Sequence, residues 1–585
     1  MTGVSGGSGG EAWETLRTDV LILGSGGAGL CAALSLSDAS HRPSVVLAVR
    51  GLFGKSGCTR MVQGGYNVVL RAPDSLQDHF MDTLRGGQWL NDQELAWTLV
   101  REAPKRVLEL ENRAGCFFDR NPDGSVHQKA FAGQSHDRTV HKGDLTGIEI
   151  VNRLSEQVAA GDTKVLEEVR AVELLPDRSG QRIVGAVLLD QRRASFIVVH
   201  ARATLLATGG GPTMYRIGAA SHDKSCDGIA MAWRAGATLM DMEMVQFHPT
   251  GLMVGPYQIS GTVLEEGLRG AGAYLRDGAG ERYMERYDPR GERATRDIVS
   301  RAGFMEIEAG RGSPDGAVFL DATHLGADVV ERDFRGMVRR CRDVGYDLAR
   351  EPVPVSPTAH FMMGGVAIDT ECRSDLEGLF VAGEDAAGVH GANRLGGNGV
   401  AESTVFGGIA GRAIAGWVEE GGGNPPSFDP AWVAAVVERT LAPLERGAIG
   451  PDLYALRERL RSLMWTDAGL VRSEASLLSA LQGLGALREE LGHAGCAPGK
   501  VYNLAWMDTL SMESYLDTCD VIVRSALERR ESRGAHYRSD HPGRDDKAYL
   551  CNLMIRRDES RPRRRGVRFT KVRPPGVEGE GGDVP

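Results

Sequence analysis

The sequence predicts a chain of the α/β class, in which a parallel sheet with a glycine-rich turn precedes a mostly helical region. Three observations support this fold class. A short apolar run at 19–23 (DVLIL) is followed by the glycine-rich turn GSGGAG and then by residues of helical composition. Two further apolar strands bounded by glycine occur at 203–211 and 378–385. Residues 428–530 are rich in Leu, Ala, Glu and Arg at helical spacing.

The composition is that of a folded globular protein. Of 585 residues, 42% are hydrophobic and 25% are charged, and this length corresponds to about four domain-sized units. The 77 glycines follow no G-X-Y period, so they indicate tight turns and close backbone approaches rather than collagen. A net charge of −10 argues against a general nucleic-acid binder.

The cysteines and the chain ends bear on compartment and membrane. Nine cysteines form no CxxC pair, which predicts reduced thiols in the cytoplasm and neither a zinc nor an iron–sulfur site in this chain. Residues 1–16 have the composition of a flexible Gly/Ser leader rather than of a signal peptide. No apolar run reaches the roughly 20 residues of a membrane-spanning helix. We therefore expect membrane association, on the cytoplasmic face of the inner membrane, only through partner subunits.

The first strand, turn and helix continue into a second apolar run, Val45 to Val49. This order of elements within about 30 residues is the dinucleotide-binding βαβ unit. Glycines let the backbone turn tightly and approach a pyrophosphate, which then lies against the N–H groups of a helix N-terminus. The second strand ends at Val49-Arg50 rather than at the acidic residue that binds a ribose, which weakens the case for NAD. The predicted contacts in the turn are Gly24, Gly26, Gly27, Ala28 and Gly29.

Further motifs along nearly the whole chain identify a family. They are QGG (63–65), DMEMVQFHPTG (241–251), EEGLRGAG (265–272), RDIVSRA (296–302), HFMMGG (360–365), GEDAAGVHGANRLGGNG (383–399) and ESRGAHYRSDHPGRDD (531–546). With the turn at 24–29, their order and spacing closely resemble the flavoprotein subunit of succinate dehydrogenase and fumarate reductase, a relative of L-aspartate oxidase.

The resemblance implies a domain organisation. A discontinuous, Rossmann-like FAD-binding domain would comprise 17–251 and 346–427, interrupted by an α+β capping domain at 252–345. A helical bundle at 428–530 and an irregular C-terminal segment at 531–585 would follow. Within that last segment, 556–573 carries nine Arg or Lys; we interpret it as a solvated terminal segment, the alternative being a site for anionic lipid or nucleic acid.

The resemblance also assigns site residues. Besides the turn, FAD contacts are expected from Arg50, Cys58, Gln63, Gly64, Gly65, Asp227, Glu384, Gly399 and Val400. His248, His360 and Arg394 match the family's clamp for substrate carboxylates, a task that suits the planar fork of Arg. Arg296 matches the proton donor, acting on the opposite face of the C–C bond from flavin N5, which carries the hydride. Glu266 and Arg269, spaced i and i+3, match the relay that reprotonates it, the alternative being a simple ion-pair network.

Three positions depart from the family pattern. Cys58 stands where the enzymes with covalent flavin carry the linking His, so we predict non-covalent FAD, the alternative being a thioether to Cys58. That departure favours fumarate reduction or aspartate oxidation over succinate oxidation. Glu265 replaces a Thr or Ser. A second carboxylate there would repel a dianion unless it is protonated or turned away, or it would pair with a substrate ammonium group. Gly399-Val400 replaces Ser-Leu, which is expected to loosen one flavin contact.

The functional prediction is an FAD-dependent oxidoreductase that interconverts fumarate and succinate. A separate iron–sulfur subunit would carry the electrons, and a membrane-anchor subunit is a further partner that the resemblance allows. The alternative is an L-aspartate-oxidase-like enzyme acting on an amino-dicarboxylate. Adjacent genes would discriminate the two, since an iron–sulfur subunit favours the first and quinolinate-pathway enzymes favour the second. A non-enzymatic FAD-holding subunit is a third alternative, but it would not need Arg296.

Overall fold

A computed structural model describes residues 13–255, 257, 259–421 and 425–575 of the chain. The strands are β1 (Trp13–Leu23), β2 (Val45–Val49), β3 (Tyr66–Asn67), β4 (Gln128–Lys129), β5 (Thr139–Val140), β6 (Lys164–Glu167), β7 (Val169–Pro176), β8 (Ile183–Asp190), β9 (Ser195–Leu206), β10 (Leu239–Met240), β11 (Val245–Leu252), β12 (Tyr274–Arg276), β13 (Val318–Asp321), β14 (Val353–Met362), β15 (Gly365–Val366), β16 (Leu379–Val381), β17 (Cys551–Ile555) and β18 (Arg563–Gly566).

The helices alternate with the early strands and then dominate the last third of the chain. They are α1 (Gly27–Leu36), α2 (Leu76–Gly86), α3 (Gln93–Glu109), α4 (Thr146–Ala159), α5 (Asp227–Arg234), α6 (Gly267–Gly270), α7 (Arg296–Glu308), α8 (Ala327–Asp333), α9 (Arg335–Arg342), α10 (Asn398–Glu420), α11 (Pro430–Arg446), α12 (Leu453–Asp467), α13 (Glu474–His493), α14 (Leu504–Glu528) and α15 (Asp546–Tyr549). This order confirms the predicted α/β class with a helical C-terminal region.

The main sheet has seven strands in the order β6-β2-β1-β9-β8-β7, with β16 also paired to β9. Strands β1, β2, β6, β9 and β16 run parallel, whereas β7 and β8 form an antiparallel extension. The central strands are almost wholly apolar because both faces of the sheet are covered, as parallel sheets require. One face packs against α1 and α10, and the other against the C-terminal helices.

A second, antiparallel sheet has the order β11-β14-β13-β12. Its outer strands and helices α6 to α9 enclose a hydrophobic core of their own, whose fully buried members all fall between Leu252 and Val355. Strands β11 and β14 connect this unit to the region of the main sheet. The residues predicted to cap the cofactor therefore form a separately packed body joined through two strands.

The prediction that residues 1–16 form a flexible leader is wrong at its end. Strand β1 begins at Trp13, and residues 13–18 pair in parallel with 196–201 of β9. Pairing with a long neighbouring strand satisfies the backbone of these polar residues, which the local sequence does not reveal. Residues 1–12 lie outside the described part of the chain.

The expectation of an irregular C-terminal segment is also wrong in part. Strands β17 and β18 extend a sheet in the order β15-β10-β17-β18. The buried Arg529 donates to Glu243 Oε1 at 2.6 Å and to two backbone carbonyls, which joins the C-terminal segment to the residues before β11. Within the basic stretch, Arg564 pairs with Glu528 and Arg556 with Asp375, so this stretch lies along the protein body. The acidic residues after 575 lie outside the described residues.

Among the described residues, no helix combines the length and the apolar character that crossing a bilayer requires.

Candidate active site

A large cavity lies between the carboxyl ends of the parallel strands and the β11–β14 sheet. Its volume, counted as the space that the centre of a water molecule can reach, is about 250 Å³. One half is lined by glycine-rich loops after β1 and β2, and the other half by charged side chains near β11 and β14. All the predicted site residues line this cavity except Gly29 and Arg269. The fold thus assembles segments from 24 to 403 around a single space.

The glycine turn has the conformation that the motif predicts. Gly24 has φ +111°, and a Cβ there would lie 2.2 Å from the carbonyl oxygen of Ala207. A Cβ on Gly29 would lie 2.0 Å from Gly24 O. Gly29 therefore does not face the cavity but allows α1 to pack against the turn, as the third glycine of such motifs does.

The glycine-rich half fits a dinucleotide. Helix α1 begins at Gly27 without a side-chain cap at Gly26, so its first N–H groups are available to an anion at the cavity wall. The Gly27 N–H also donates to Thr59 Oγ1 at 3.0 Å, which draws the loop containing Cys58 over the turn. Opposite, Gly65 has φ +132°, and a Cβ on Gly64 would overlap the ring of Phe131 at 2.4 Å.

Arg50 and Asp227 lie together at the end of β2. The Arg50 guanidinium donates to Ser225 Oγ at 2.6 Å and lies 3.5 Å from Asp227 Oδ2. Arg170 donates to the other oxygen of Asp227 at 2.8 Å. Although burial raises the pKa of Asp227, these two guanidinium groups hold it below its usual value. An ionised acid thus stands beside Arg50, where the sequence places no acidic residue at the end of the strand.

Cys58 and Glu384 meet near the middle of the cavity. Cys58 Sγ accepts the N–H of Ser221 at 3.2 Å, and burial raises the pKa of its thiol. Glu384 is ion-paired with Lys224 and accepts the N–H of Met362 at 3.1 Å. Because a thiol with a raised pKa is a poor nucleophile, Cys58 is not activated for bond formation in this arrangement.

Two histidines of the cavity wall face each other in the charged half: His248 is buried, and His360 is partly exposed. The rings of His248 and His360 meet edge to face with centroids 5.5 Å apart. Burial, followed by the positive charge of nearby arginines, holds the pKa of both well below the usual value, so both are neutral. His248 Nδ1 accepts the N–H of Thr250 at 3.3 Å, which leaves the proton on Nε2 available to a ligand oxygen.

Arg394 is buried and has no ion-pair partner among the described residues. It lies 4.3 Å above the Phe361 ring, and its Nη2 donates to Gln246 Oε1 at 3.2 Å. Its Nε has no hydrogen-bond partner in the described structure. Burial lowers the pKa of Arg394 to about 9, so it remains charged at neutral pH. An unpaired buried cation of this kind is a binding site for an anion.

Arg296, Glu266 and Arg269 form a buried chain. Arg296 donates from Nε and Nη2 to Glu266 Oε2 at 2.9 and 2.5 Å. Arg269 Nη2 lies 3.5 Å from the other oxygen, Glu266 Oε1. Burial raises the pKa of Glu266, but the two guanidinium groups outweigh it and keep the carboxylate ionised. Arg296 faces the cavity and Arg269 lies behind it, so the chain leads from the cavity into the protein.

Glu265 lines the same cavity and is ion-paired with Lys129. Burial raises the pKa of Glu265, and the Lys129 ammonium opposes that rise. The structure places a cation from a distant strand beside this carboxylate, so Glu265 is not an unpaired negative charge in the cavity.

Gly399 is matched to Arg394. A Cβ at this position would lie 2.7 Å from Arg394 Nη1. A serine, which the family pattern has here, would displace the guanidinium from its present position, so the smaller residue makes room for it.

Sequence reasoning missed two residues of the charged half. Gln246 Oε1 accepts from both Arg296 and Arg394, at 3.1 and 3.2 Å, and so holds the two guanidinium groups together. Gln246 is two residues before His248 on β11, and residues at i and i+2 of a strand share a face, which was an available signal. Lys129 is 136 residues from Glu265 in the chain and has no such signal.

Comparisons with known proteins identify the family of this chain. The family model described as FAD binding domain matches residues 19–400, and that described as fumarate reductase flavoprotein C-term matches 457–578. A chain of the fumarate reductase (CoM/CoB) of Methanothermobacter marburgensis is 42% identical over 536 residues, 90% of this chain and 95% of that protein. The fumarate reductase flavoprotein subunit of Mycobacterium tuberculosis is 34% identical over 93% of this chain and 95% of its own length.

Comparison of the fold with solved structures points to the same family. A structure of E. coli quinol fumarate reductase superposes with a TM-score of 0.90 at 31% identity, covering 96% of this chain and 98% of that chain. The cavity fits a dinucleotide at one end and has positively charged residues that can bind an anion at the other. Together with the matched FAD binding domain, this places the chain in the class of FAD-binding oxidoreductases. Within that class, the chain belongs to the family of succinate dehydrogenase and fumarate reductase flavoproteins.

Proposed function

We propose that this chain is the flavoprotein subunit of an enzyme that interconverts fumarate and succinate. One observation carries the proposal: the buried chain Arg269–Glu266–Arg296 opens onto a cavity wall that also holds Arg394 and two neutral histidines. Two relatives that match over nearly their full length support it. One is named as a fumarate reductase (CoM/CoB) and the other as a quinol-fumarate reductase, so fumarate is common to both names, which differ in the other compounds named.

The clamp accounts for binding of a dicarboxylate. Arg394 offers a bidentate fork to one carboxylate, and the neutral imidazoles of His248 and His360 offer single N–H donors to the other oxygens. Gln246 restrains rotation of the Arg394 guanidinium because its Oε1 accepts a hydrogen bond from Arg394 Nη2. Because these donors are already oriented, little reorganisation is needed when the dianion enters.

Arg296 is suited to hold and release a proton at the cavity. It transfers a proton from a guanidinium nitrogen to a substrate carbon, and Glu266 stabilises the charged form that must be restored. Two hydrogen bonds to one carboxylate oxygen give Arg296 a direct route for reprotonation. Arg269 keeps Glu266 ionised between turnovers. A positioned acid of this kind contributes about 10²–10⁴-fold in rate.

The glycine turn, Arg50, Asp227 and Glu384 would hold FAD, which when bound supplies the two-electron chemistry at the substrate C–C bond. We propose that it binds non-covalently, since Cys58 is protonated and replaces the histidine to which relatives attach the flavin. A separate iron–sulfur subunit would exchange electrons, and a membrane-anchor subunit would hold the complex at the cytoplasmic face of the inner membrane. The nine free cysteines agree with a reducing compartment.

The amino-dicarboxylate alternative loses one of its supports. It takes Glu265 as a counter-ion for a substrate ammonium group, and that carboxylate already has Lys129 as its partner. The absence of the linking histidine supports fumarate reduction and aspartate oxidation equally.

The test uses the purified chain with FAD under anaerobic conditions. Dithionite-reduced flavin should be reoxidised rapidly by fumarate with formation of succinate. Aspartate, which can only donate electrons, should reduce the oxidised flavin slowly or not at all. Succinate added to oxidised enzyme should bleach the flavin with an artificial acceptor absent. Flavin that responds to aspartate and not to fumarate or succinate would replace our proposal with the oxidase.

A further inference from the structure

The Lys129–Glu265 ion pair crosses the boundary between two parts of the fold. Lys129 lies on β4, in the small sheet formed by β3, β5 and β4. Glu265 immediately precedes Glu266 and α6 in the separately packed body that covers the cavity. The ammonium also lies 5.9 Å from the centroid of the Phe131 ring, which lines the cavity. The pair thus joins the two parts of the fold beside the cavity.

The groups around Glu265 decide which cation balances its negative charge. Glu265 is 3% exposed, burial raises its pKa, and its neighbour Glu266 is ionised, so a negative charge on Glu265 depends on a cation beside it. Arg340 on α9 faces Glu265 as well, but Asp144 faces Arg340 and cancels its charge. His141 is neutral because burial and Lys129 lower its pKa to about 4. Lys129 is therefore the cation that compensates Glu265.

The charges at the substrate end of the cavity then balance those of a dianion. This end of the cavity has two carboxylates, Glu265 and Glu266, and four cations, so two positive charges are left over. The four cations are Lys129, Arg269, Arg296 and Arg394. The two histidines add none because they are neutral. Without Lys129, one positive charge would remain.

We propose that Lys129 is a specificity-determining residue that, by compensating Glu265, sets the closed site to the charge of a dicarboxylate dianion and against monoanions of the same shape. The inference rests on the proposed function for the identity of the ligand. It concerns residues on which this chain departs from its family's pattern, and it makes Lys129 a charge-compensating residue that need not touch the substrate.

The experiment measures binding to oxidised holoenzyme, with which fumarate does not react. Fumarate and its monomethyl ester, a monoanion of similar shape, are titrated and flavin absorbance is followed at the alkaline end of the stable pH range. Lys129→Met should weaken fumarate binding about tenfold to hundredfold, the range for a lost charged interaction. The ester should lose only about threefold to tenfold, because a Coulomb term scales with ligand charge. FAD content and thermal melting confirm that each variant is folded.

Two further variants separate charge from contact. Lys129→Met/Glu265→Gln restores two positive charges and should bind fumarate within about threefold of wild type. Lys142→Met, which removes a lysine paired with Asp119 outside the cavity, should change neither ligand. Unchanged fumarate binding in Lys129→Met, equal losses for both ligands, or no recovery in the double variant would overturn the inference. Wild type that binds no fumarate would instead refute the proposed function.

Discussion

Arg296→Gln is the substitution that best tests the proton relay. It shortens the side chain and removes its charge, so the carbon-directed proton has no donor. Turnover should fall about 10²–10⁴-fold, while the clamp of Arg394 and the two histidines remains. The expected pattern is a lower kcat with fumarate binding to oxidised enzyme largely kept.

The structure also sets the cost in stability. Arg296 gives up two hydrogen bonds to Glu266 and one to Gln246. Glu266 keeps Arg269 at 3.5 Å, so the buried remainder is a neutral pair. We therefore expect a loss of about 1–3 kcal/mol, the range for hydrogen bonds to a charged group.

Glu266→Gln is the companion variant, and it should be the less stable of the two. It leaves Arg296 and Arg269 buried together with no carboxylate between them, and an uncompensated buried charge costs about 3–5 kcal/mol. We therefore expect Glu266→Gln to lose more unfolding free energy than Arg296→Gln, although Arg296→Gln removes more side-chain atoms. Both variants should lose turnover to a similar extent, because the relay needs both groups.

The assay combines steady-state fumarate reduction by a reduced dye, fumarate titration of the oxidised flavin, and chemical unfolding. Arg301→Gln is the matched control: it lies on the same helix, stacks on Tyr537 outside the cavity, and should keep wild-type turnover. Arg296→Gln with more than about a tenth of wild-type turnover would remove it from the proton-donor role. Glu266→Gln more stable than Arg296→Gln would refute the charge argument.

Three further predictions follow from single sites. Acid denaturation should release all flavin into the supernatant, and fluorescence left on the denatured band of a gel would show a covalent link. Gly29→Ala should yield protein with little FAD, because its Cβ would lie 2.0 Å from Gly24 O, whereas Gly416→Ala, with open space around it, should bind FAD normally; equal FAD content in both would contradict the packing argument. Burial, followed by Glu384, raises the pKa of Glu402 to about 8 from its ordinary value of 4.5, so folding keeps a proton that unfolding releases, and wild-type stability falls as pH rises between these values. Glu402→Gln lacks this dependence and should gain on wild type by about 1.4 kcal/mol per pH unit in that window; parallel stability–pH curves would refute it.

The sequence by itself determined the elements whose causes are local. The turn at 24–29 follows from glycine geometry, since only residues without Cβ fit at Gly24 and Gly29. The apolar run Val45–Val49 is β2 to the residue, because a strand buried on both faces needs no polar alternation. The motif at 241–251 likewise located His248, and spacing placed Glu266 beside Arg269.

Only the tertiary structure decided the contacts between segments distant in the chain. Residues 13–16 became a strand because β9 was long enough to pair with them, and the C-terminal segment acquired strands because β10 offered an edge. The sequence around Glu265 contains no cation that is evidently its partner, and only the folded structure shows that Lys129 of β4 is paired with it. Local propensity and motif spacing describe a few neighbouring residues, whereas the charge of a buried site is the sum over every segment that packs around it.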